Sequence, residues 1–285
     1  MKLNCFEHVT IQIRSDFAIT LVLMNTNLTN NASEFLKAAI QAACAAEQII
    51  LDYYSQQVQV DYKQDESPVT IADVEAERAI RKILTQAFPD HGFYGEETGQ
   101  ASMDADYIWL IDPIDGTKSF IREYPFFSTQ IALMHQGEII VGVSNAPGFN
   151  ELAYAERNGG AYFNNKLIRT SSINTIKQAS LSSGNIASLA GSNQWQAYGQ
   201  LLQQVNRTRG YGDFYHYHLL ACGKIDVIVE SDLNILDIAA LSLIVTEAGG
   251  VFTELEGSAI NLETRTVLAA ANQVLYDQVM DQLKI

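Results

Sequence analysis

The chain has few cysteines, few basic residues and no long apolar run. Its 285 residues contain three cysteines and no CxxC pair, which indicates reduced thiols in a cytoplasmic compartment. Lys and Arg number 18 against 33 Asp and Glu, for a formal net charge of -15. Such a charge repels nucleic acids and anionic lipids, so we expect no nucleic-acid partner. No segment reaches the roughly 18 apolar residues of a membrane span, so we expect no membrane partner.

One short apolar segment, residues 17–24, lies near the N-terminus. It follows Asp16 and leads into an Asn-rich stretch instead of a small-residue cleavage site, so a signal peptide is not expected. We predict that residues 1–30 form an extension outside the fold. Met24 is an alternative start compatible with this pattern.

Hydrophobic periodicity predicts helices and strands in alternation, with several strands in succession. Two early helices, the first capped by Asn31 or Ser33, are marked by apolar faces: Leu36, Ala39, Ile40, Ala43, Ala46 and Ile50, then Ala76, Ile80, Ile83 and Ala87. Strands are predicted at 107–112, 128–134, 138–144, 225–230 and 251–254, and later helices at 213–222 and 235–248. Successive strands favour a mixed, layered α/β fold over a pure βαβ repeat. Residues 171–207 carry no clear pattern.

An apolar, strand-like run ends in two aspartates three positions apart. Residues 107–120 read YIWLIDPIDGTKSF, so the run leads directly to Asp112 and Asp115. Asp-Pro and Asp-Gly are strong turn signals, and a plain turn is one interpretation. An EF-hand is excluded, because its loop needs acids at positions one, three and five and Gly at six. The other interpretation is a metal site, beside which Gly116 and Thr117 begin a helix or turn with free backbone N–H groups.

Other acidic residues have both a structural and a functional interpretation. In the functional interpretation, one of the carboxylates of Glu96 and Glu97 faces a cleft and the other supports the cleft's wall. In the structural interpretation, both belong to a solvated turn. Asp73 follows Thr70 at the spacing of a capping box, so one interpretation is that it only begins a helix. Asp237, near the start of the predicted helix 235–248, has a similar alternative as an acid that complements the helix dipole.

Four segments together resemble the inositol monophosphatase family: G95-E-E, W109-LIDPIDGTKSF, L236-DIAA and T246-EAGG. The resemblance runs from about residue 33 to the C-terminus, and its D-P-I-D-G-T block is highly specific. It implies an α/β sugar-phosphatase fold with alternating layers of helices and mixed sheets (αβαβα). Residues 31–285 would form the catalytic domain, with subdomains of approximately 31–170 and 171–285. The family resemblance also implies a Mg²⁺-dependent, lithium-sensitive enzyme and a homodimer.

The resemblance assigns roles to single residues. The implied metal ligands for two or three Mg²⁺ ions are Glu96, Asp112, the Ile114 carbonyl, Asp115 and Asp237, with Asp73 at a looser third ion. Thr117 would position the attacking water with Glu96, and Asp73 joins them in the catalytic group, while the N–H groups of Gly116 and Thr117 would hold phosphate. Oxygen ligands without Cys or His suit Mg²⁺. Carboxylates 4 Å apart repel by about 4 kcal/mol per pair at a dielectric constant near 20, a penalty that divalent cations remove.

Within the family, residues 209–217 (RGYGDFYHY) look like the histidinol-phosphate phosphatase branch. The branch's G-D-x-Y-x-Y run is matched by Gly212, Asp213, Tyr215 and Tyr217, although His216 departs from it. Glu230 matches a substrate-contacting glutamate, and the metal ligand Asp237 is also expected to touch the substrate. Two extra carboxylates suit a cationic aminoalcohol, whereas a neutral polyol does not need them. The alternative for Asp213 is a helix N-cap.

The expected function is therefore Mg²⁺-dependent hydrolysis of a small phosphate ester by an activated water, with histidinol phosphate as the favoured substrate. The first alternative is an inositol-1-monophosphatase or a related sugar or nucleotide phosphatase. A second is a metal- or phosphate-binding protein without turnover. That protein would have lost a ligand or Thr117, and all of these residues are present.

Overall fold

The computed structural model describes residues 32–56, 60–62 and 68–283. The predicted extension 1–30 and the alternative cap Asn31 lie outside these residues. Within them, none of the helices is long and apolar enough to cross a membrane.

The described residues form eight α-helices and fifteen strands. The helices are α1 (Glu34–Tyr54), α2 (Ile71–Ala87), α3 (Thr117–Phe120), α4 (Ala187–Ala190), α5 (Trp195–Gln204), α6 (Asp213–Ala221), α7 (Ile235–Glu247) and α8 (Gln273–Leu283). The strands are β1 (Val60–Tyr62), β2 (Pro68–Thr70), β3 (Gly92–Gly95), β4 (Gly99–Ala101), β5 (Tyr107–Asp115), β6 (Ser128–His135), β7 (Glu138–Ala146), β8 (Glu151–Glu156), β9 (Gly160–Phe163), β10 (Lys166–Leu167), β11 (Ser180–Ser183), β12 (Arg207–Arg209), β13 (Val227–Ser231), β14 (Val251–Thr253) and β15 (Thr266–Ala270).

These elements stack in alternating layers of helices and sheets. Helices α1 and α2 cover one face of an eight-stranded sheet of order β10-β9-β8-β7-β6-β5-β3-β4. Helices α6 and α7 lie between that sheet and a five-stranded sheet of order β12-β11-β13-β15-β14, whose outer face is covered by α5 and α8. The predicted αβαβα arrangement is confirmed. The division into subdomains near residue 170 stays a prediction.

Strand β5 is an interior strand with both faces covered. It pairs in parallel with β3 and antiparallel with β6. Trp109 and Ile111 pack in the core beneath α1 and α2, whereas Ile108 and Leu110 pack in the core that contains α7. Burial on both faces explains why this strand is an unbroken apolar run instead of an alternating one.

The predicted apolar face is correct for α1 and partly wrong for α2. Ser33 caps α1 by accepting a hydrogen bond from Leu36 N, and every residue predicted for its apolar face is buried. In α2 the last turn buries Leu84, while Ile83 is half-buried and Ala87 is exposed. Ala76, Ile80 and Leu84, spaced four residues apart, face the core. Ile83 and Ala87 therefore lie at the edge of the buried face of the helix.

The central helix layer approaches the large sheet closely where α7 crosses β7. A Cβ added at Gly142 would lie 2.5 Å from the backbone oxygen of Ala240. This is well inside van der Waals contact, so glycine is required by the distance between helix and strand.

We expect Gly142→Ala to lower the free energy of unfolding by about 1–3 kcal/mol, the usual cost of overpacking, because it must push α7 away from β7. Urea denaturation followed by circular dichroism measures this. The control is Gly199→Ala within α5, where an added Cβ meets no atom within 4 Å and should raise stability by up to about 1 kcal/mol. Equal stability of the two variants would contradict the prediction.

Candidate metal and phosphate site

A β-bulge at the end of β5 brings its two aspartates to the same side of the sheet. Residues three apart lie on opposite faces of a regular strand. Here Asp112 pairs with Gln130 and Asp115 pairs with Ser128, so two residues on β5 oppose one on β6. Such an extra residue reverses the alternation. Pro113, which has no N–H for the ladder, occupies the bulge, where proline is tolerated in an interior strand.

Asp237, at the start of α7, completes a three-carboxylate cluster. Carboxylate oxygens of Asp112, Asp115 and Asp237 lie within 4.8 Å of one another. Asp112 and Asp115 are buried, and Asp237 is partly exposed. Within the described residues no Lys, Arg or His forms an ion pair with any of the three. Buried carboxylates without a cationic partner must either hold protons or bind cations.

Capping boxes orient two of the predicted ligands. Thr70 N donates to Asp73 Oδ2 over 2.8 Å at the start of α2. Asn234 N donates to Asp237 Oδ2 over 2.9 Å at the start of α7. The capping box predicted for Asp73 is therefore present. Asp237, predicted as an acid that complements the helix dipole, also belongs to a capping box and is nevertheless part of the acidic cluster. One carboxylate oxygen caps the helix and fixes the direction of the other.

The segment after Asp115 turns sharply into the short helix α3. Gly116 has a φ of 89°, a left-handed conformation that favours glycine. Thr117 Oγ1 lies 3.0 Å from the Ile114 carbonyl oxygen and 3.4 Å from Asp73 Oδ1. Asp115 in turn accepts a hydrogen bond of 3.1 Å from Phe214 N, in the first turn of α6.

Glu96 reaches the cluster from the turn between β3 and β4. Its backbone N–H donates to the Ile111 carbonyl oxygen over 3.1 Å, which ties it to β5 just before Asp112. Its charge raises the pKa values of Asp112, Asp237 and Asp73. Glu96 and Asp73 are therefore electrostatic neighbours of the three-carboxylate cluster.

Burial, followed by repulsion among the carboxylates, shifts their acidity. Burial is the largest cause that raises the pKa of Asp112 and of Asp115 well above the usual range, and neighbouring carboxylates add to it. Burial also raises the pKa of Asp237 to about 7, despite its cap hydrogen bond from Asn234. The pKa of Asp73 rises to about 6 for the same reason, with its bonds from Thr70 opposing the change.

A second acidic group lies beside the cluster, on α6 and β13. Glu230 is 1% exposed and accepts hydrogen bonds at Oε2 from His216 Nε2 (2.9 Å) and Tyr217 Oη (2.7 Å). Its Oε1 lies near Gly184, where an added Cβ would be 1.5 Å away. Burial and the Glu230 charge raise the pKa of Asp213 to about 6.

Asp213 does not cap α6, so that alternative is wrong. The cap residue is Gly212, which makes no side-chain cap, and Asp213 is the first residue of the helix with a φ of 47°. Sequence reasoning also missed the hydrogen bond from His216 to Glu230. His216 and Tyr217 are adjacent on a predicted helix, and the sequence does not indicate that their side chains contact Glu230 on the distant strand β13.

The donor set fits a hard divalent cation. The clustered side chains are all carboxylates, and among the residues that the structure describes no thiolate or imidazole joins the three-carboxylate group. Magnesium prefers such oxygen ligands. Glu96, Asp112, Asp115 and Asp237 therefore fit the ions that the sequence predicts, with Asp73 close by. Fold and site together define a layered α/β protein with an acidic centre suited to divalent metal ions.

Comparison with known proteins identifies the family. The model of the inositol monophosphatase family matches residues 31–284. A histidinol-phosphatase of Streptomyces coelicolor is 34% identical over 258 residues, which cover 87% of this chain and 96% of that protein. An inositol-1-monophosphatase of Caulobacter vibrioides is 33% identical over 234 residues, covering 80% and 91%. The crystal structure of extragenic suppressor protein suhB from Bartonella henselae has a TM-score of 0.81 at 31% identity, covering 88% of this chain and 99% of that one.

The chain belongs to the inositol monophosphatase family. Both named relatives are phosphoric monoester hydrolases, and the prediction of such an enzyme is confirmed. The roles of the individual site residues stay predictions.

The raised pKa values predict how the metal-free protein responds to pH. Asp237 ionises near 3.8 when unfolded and at about 7 when folded, so the folded state binds the proton more tightly. Stability is then greatest below the unfolded value and is lost as pH rises through the folded value. In chelator, we expect the melting temperature to fall by more than about 4 °C between about pH 4.5 and about pH 7.5.

Added Mg²⁺ should reduce that fall, because the cation replaces the proton. Asp237→Asn should also reduce it in chelator, since the amide does not titrate, whereas exposed Asp104→Asn should not. Differential scanning fluorimetry across this pH range measures all three. A melting temperature that rises with pH in chelator would show that the cluster is not the dominant titrating group.

Proposed function

We propose that the chain is a Mg²⁺-dependent phosphomonoesterase. The observation that carries this proposal is the cluster of Asp112, Asp115 and Asp237, two of them buried, with which no cationic side chain of the described residues forms an ion pair. Together with Glu96 and the Ile114 carbonyl these residues would hold the ions, and Asp73 would serve a third. When bound, the ions supply positive charge for the phosphate dianion and raise the acidity of a water molecule.

The chain's own groups orient the reactants. Thr117 Oγ1 lies within hydrogen-bond distance of the Ile114 carbonyl oxygen and near Asp73. Its hydroxyl proton is therefore donated to one of these two acceptors, and its oxygen can accept a hydrogen bond from a water molecule. Glu96 and Thr117 would hold that water in line with the ester bond. The backbone N–H groups of Gly116 and Thr117, at the start of α3, would bind phosphate oxygens. No protein nucleophile takes part in this proposal.

Replacing a single ligand tests the metal assignment. Asp112→Asn and Asp237→Asn should each lower turnover at least about a hundredfold in Mg²⁺, because the amide cannot supply the lost charge. Phosphate release with and without chelator measures this, and circular dichroism checks the fold. Asp104→Asn, on the exposed segment before β5, is the control. Near-wild-type hydrolysis by either ligand variant would refute the assignment.

We further propose that the substrate is histidinol phosphate. Asp213 and Glu230 place two carboxylates beside the cluster, and the charge of each raises the pKa of Asp115. A cationic leaving group would interact favourably with them, whereas a neutral polyol gains less. The relatives alone do not decide, because a histidinol-phosphatase and an inositol-1-monophosphatase are almost equally similar to this chain.

Asp213→Asn separates these substrates. Asparagine tolerates the positive φ at this position, so the change removes charge without strain. We expect kcat/KM for histidinol phosphate to fall about tenfold or more, the value of a charge-assisted contact, and that for inositol 1-phosphate to change little. Steady-state kinetics on both esters measures this.

Asp232→Asn is the matched control, since Asp232 also has a positive φ of 59° and is exposed. It should leave both esters unaffected. Equal losses on both esters in Asp213→Asn, or a wild-type preference for inositol 1-phosphate, would favour the inositol-1-monophosphatase alternative.

Two further predictions, inhibition by lithium and a homodimer, rest on the family resemblance. A third, a cytoplasmic location, rests on the three cysteines without a CxxC pair. The non-enzymatic alternative, a metal- or phosphate-binding protein without turnover, predicts the loss of a ligand or of Thr117. The presence of every proposed ligand and of Thr117 supports the enzyme.

A further inference from the structure

A buried carboxylate outside the proposed mechanism holds the turn that carries Glu96. Glu77 lies on α2, one helical turn after Asp73, and both side chains are fully buried. Two like charges at this spacing destabilise a helix unless each has partners. Asp73 has its capping box, so the partners of Glu77 need a separate account.

The partners of Glu77 are the groups that directly follow Glu96. Glu77 Oε2 accepts from Glu97 N over 2.6 Å, and Oε1 accepts from Thr98 N over 3.0 Å. The Thr98 hydroxyl also donates to Oε1 and receives a hydrogen bond from Arg81. Each carboxylate oxygen therefore binds a different backbone N–H of the turn.

The residue before Glu96 is shaped for this contact. A Cβ added at Gly95 would lie 2.1 Å from Glu77 Oε1, so glycine is needed for the carboxylate to reach the turn. Glu96 N is bonded to the Ile111 carbonyl on β5. The backbone of Glu96 is thus held by β5 on one side and by Glu77 on the other.

We propose that Glu77 is a positioning residue that sets Glu96 at the cation site. The inference rests on the proposed metal-binding function. Glu77 acts through two backbone N–H groups, and hydrogen-bonded partners of this kind orient metal ligands and typically change metal affinity 10–100-fold when replaced. A carboxylate is required because it offers an acceptor to each N–H.

Glu77→Gln tests the proposal at nearly constant shape. The amide nitrogen must face one backbone N–H, so one of the two bonds is lost. We expect isothermal titration of the full chain with Mg²⁺ to show a Kd raised about 10–100-fold. In turnover assays the Mg²⁺ concentration for half-maximal rate should rise by a similar factor.

Glu247→Gln is a matched control. Glu247, in the last turn of α7, also accepts two backbone N–H groups, from Asn158 (2.8 Å) and Gly160 (2.9 Å) of the turn between β8 and β9. It should keep wild-type Mg²⁺ affinity, and it should lose less thermal stability than Glu77→Gln because Glu247 is only partly buried. An equal loss of affinity in both variants, or wild-type affinity in Glu77→Gln, would overturn the proposal.

The wild-type titration separates this inference from the proposed function. If the wild type binds no Mg²⁺, the metal-dependent function fails. If the wild type binds Mg²⁺ and Glu77→Gln binds it equally well, only the role of Glu77 fails. If Glu77→Gln does not fold, Thr98→Val decides. It removes the hydroxyl that donates to Glu77 and accepts from Arg81, and it leaves both backbone N–H groups in place. It should weaken Mg²⁺ binding roughly fivefold, and unchanged binding in that variant would refute the proposal.

Discussion

Mutual repulsion among buried carboxylates is the constraint on which this structure depends. Asp112 and Asp115 are almost fully buried beside Asp237, without a cationic side chain among the described residues. The protein compensates in part with backbone N–H groups at helix starts, where the helix dipole favours negative charge. Asp73 lies in the first turn of α2 and Asp237 in the first turn of α7, and each accepts a hydrogen bond from the backbone N–H of its N-cap residue. In the first turn of α6, Phe214 N–H donates to Asp115. The remaining charge suits divalent cations.

The layered fold gives these groups a rigid base. Two apolar cores lie on opposite faces of the large sheet, one beneath α1 and α2 and one around α7. Both cores contain residues of β5, so the strand is held from both sides up to its bulge. Helix α7 carries both Asp237 and Ala240, and the latter closely approaches Gly142 on β7, so a displacement of α7 from the sheet would also move Asp237 relative to Asp112.

Buried polar groups extend this support away from the cluster. Asp115 accepts from the Ser128 hydroxyl, and Gln130 Nε2 donates to both Ser128 and Ser144. The Ser144 hydroxyl also bonds to His218 Nε2 over 2.8 Å. The interior hydrogen bonds thus connect β6, β7 and α6 to one acidic residue. Within the described residues the buried Gln130 Oε1 has no hydrogen-bond partner, so this network is satisfied only in part and restricts the site less than a complete one would.

The local sequence predicted much of the fold and most members of the site. The apolar run of β5, the helix starts at Asp73 and Asp237, and the glycine turn at Gly116 are short-range patterns, and a family resemblance linked them to one chemistry. Residues 171–207 were not predicted, since their elements are short and polar: β11 has four residues, and the ten-residue α5 buries Tyr198 and Leu201 among mostly polar neighbours. The prediction for the last turn of α2 was wrong because two neighbouring rows of apolar residues run along the helix. The row that ends at Leu84 is buried, and the row that contains Ile83 and Ala87 is not.

The sequence by itself determined which residues carry charge, where the chain turns and which segments must be buried. Tertiary structure alone decided that a bulge brings Asp112 and Asp115 to one side, that Glu77 reaches the turn after Glu96, and that His216 binds Glu230. These three results depend on contacts between residues distant in the chain. Their geometry is set by how layers pack, and no local propensity encodes the distance between two layers.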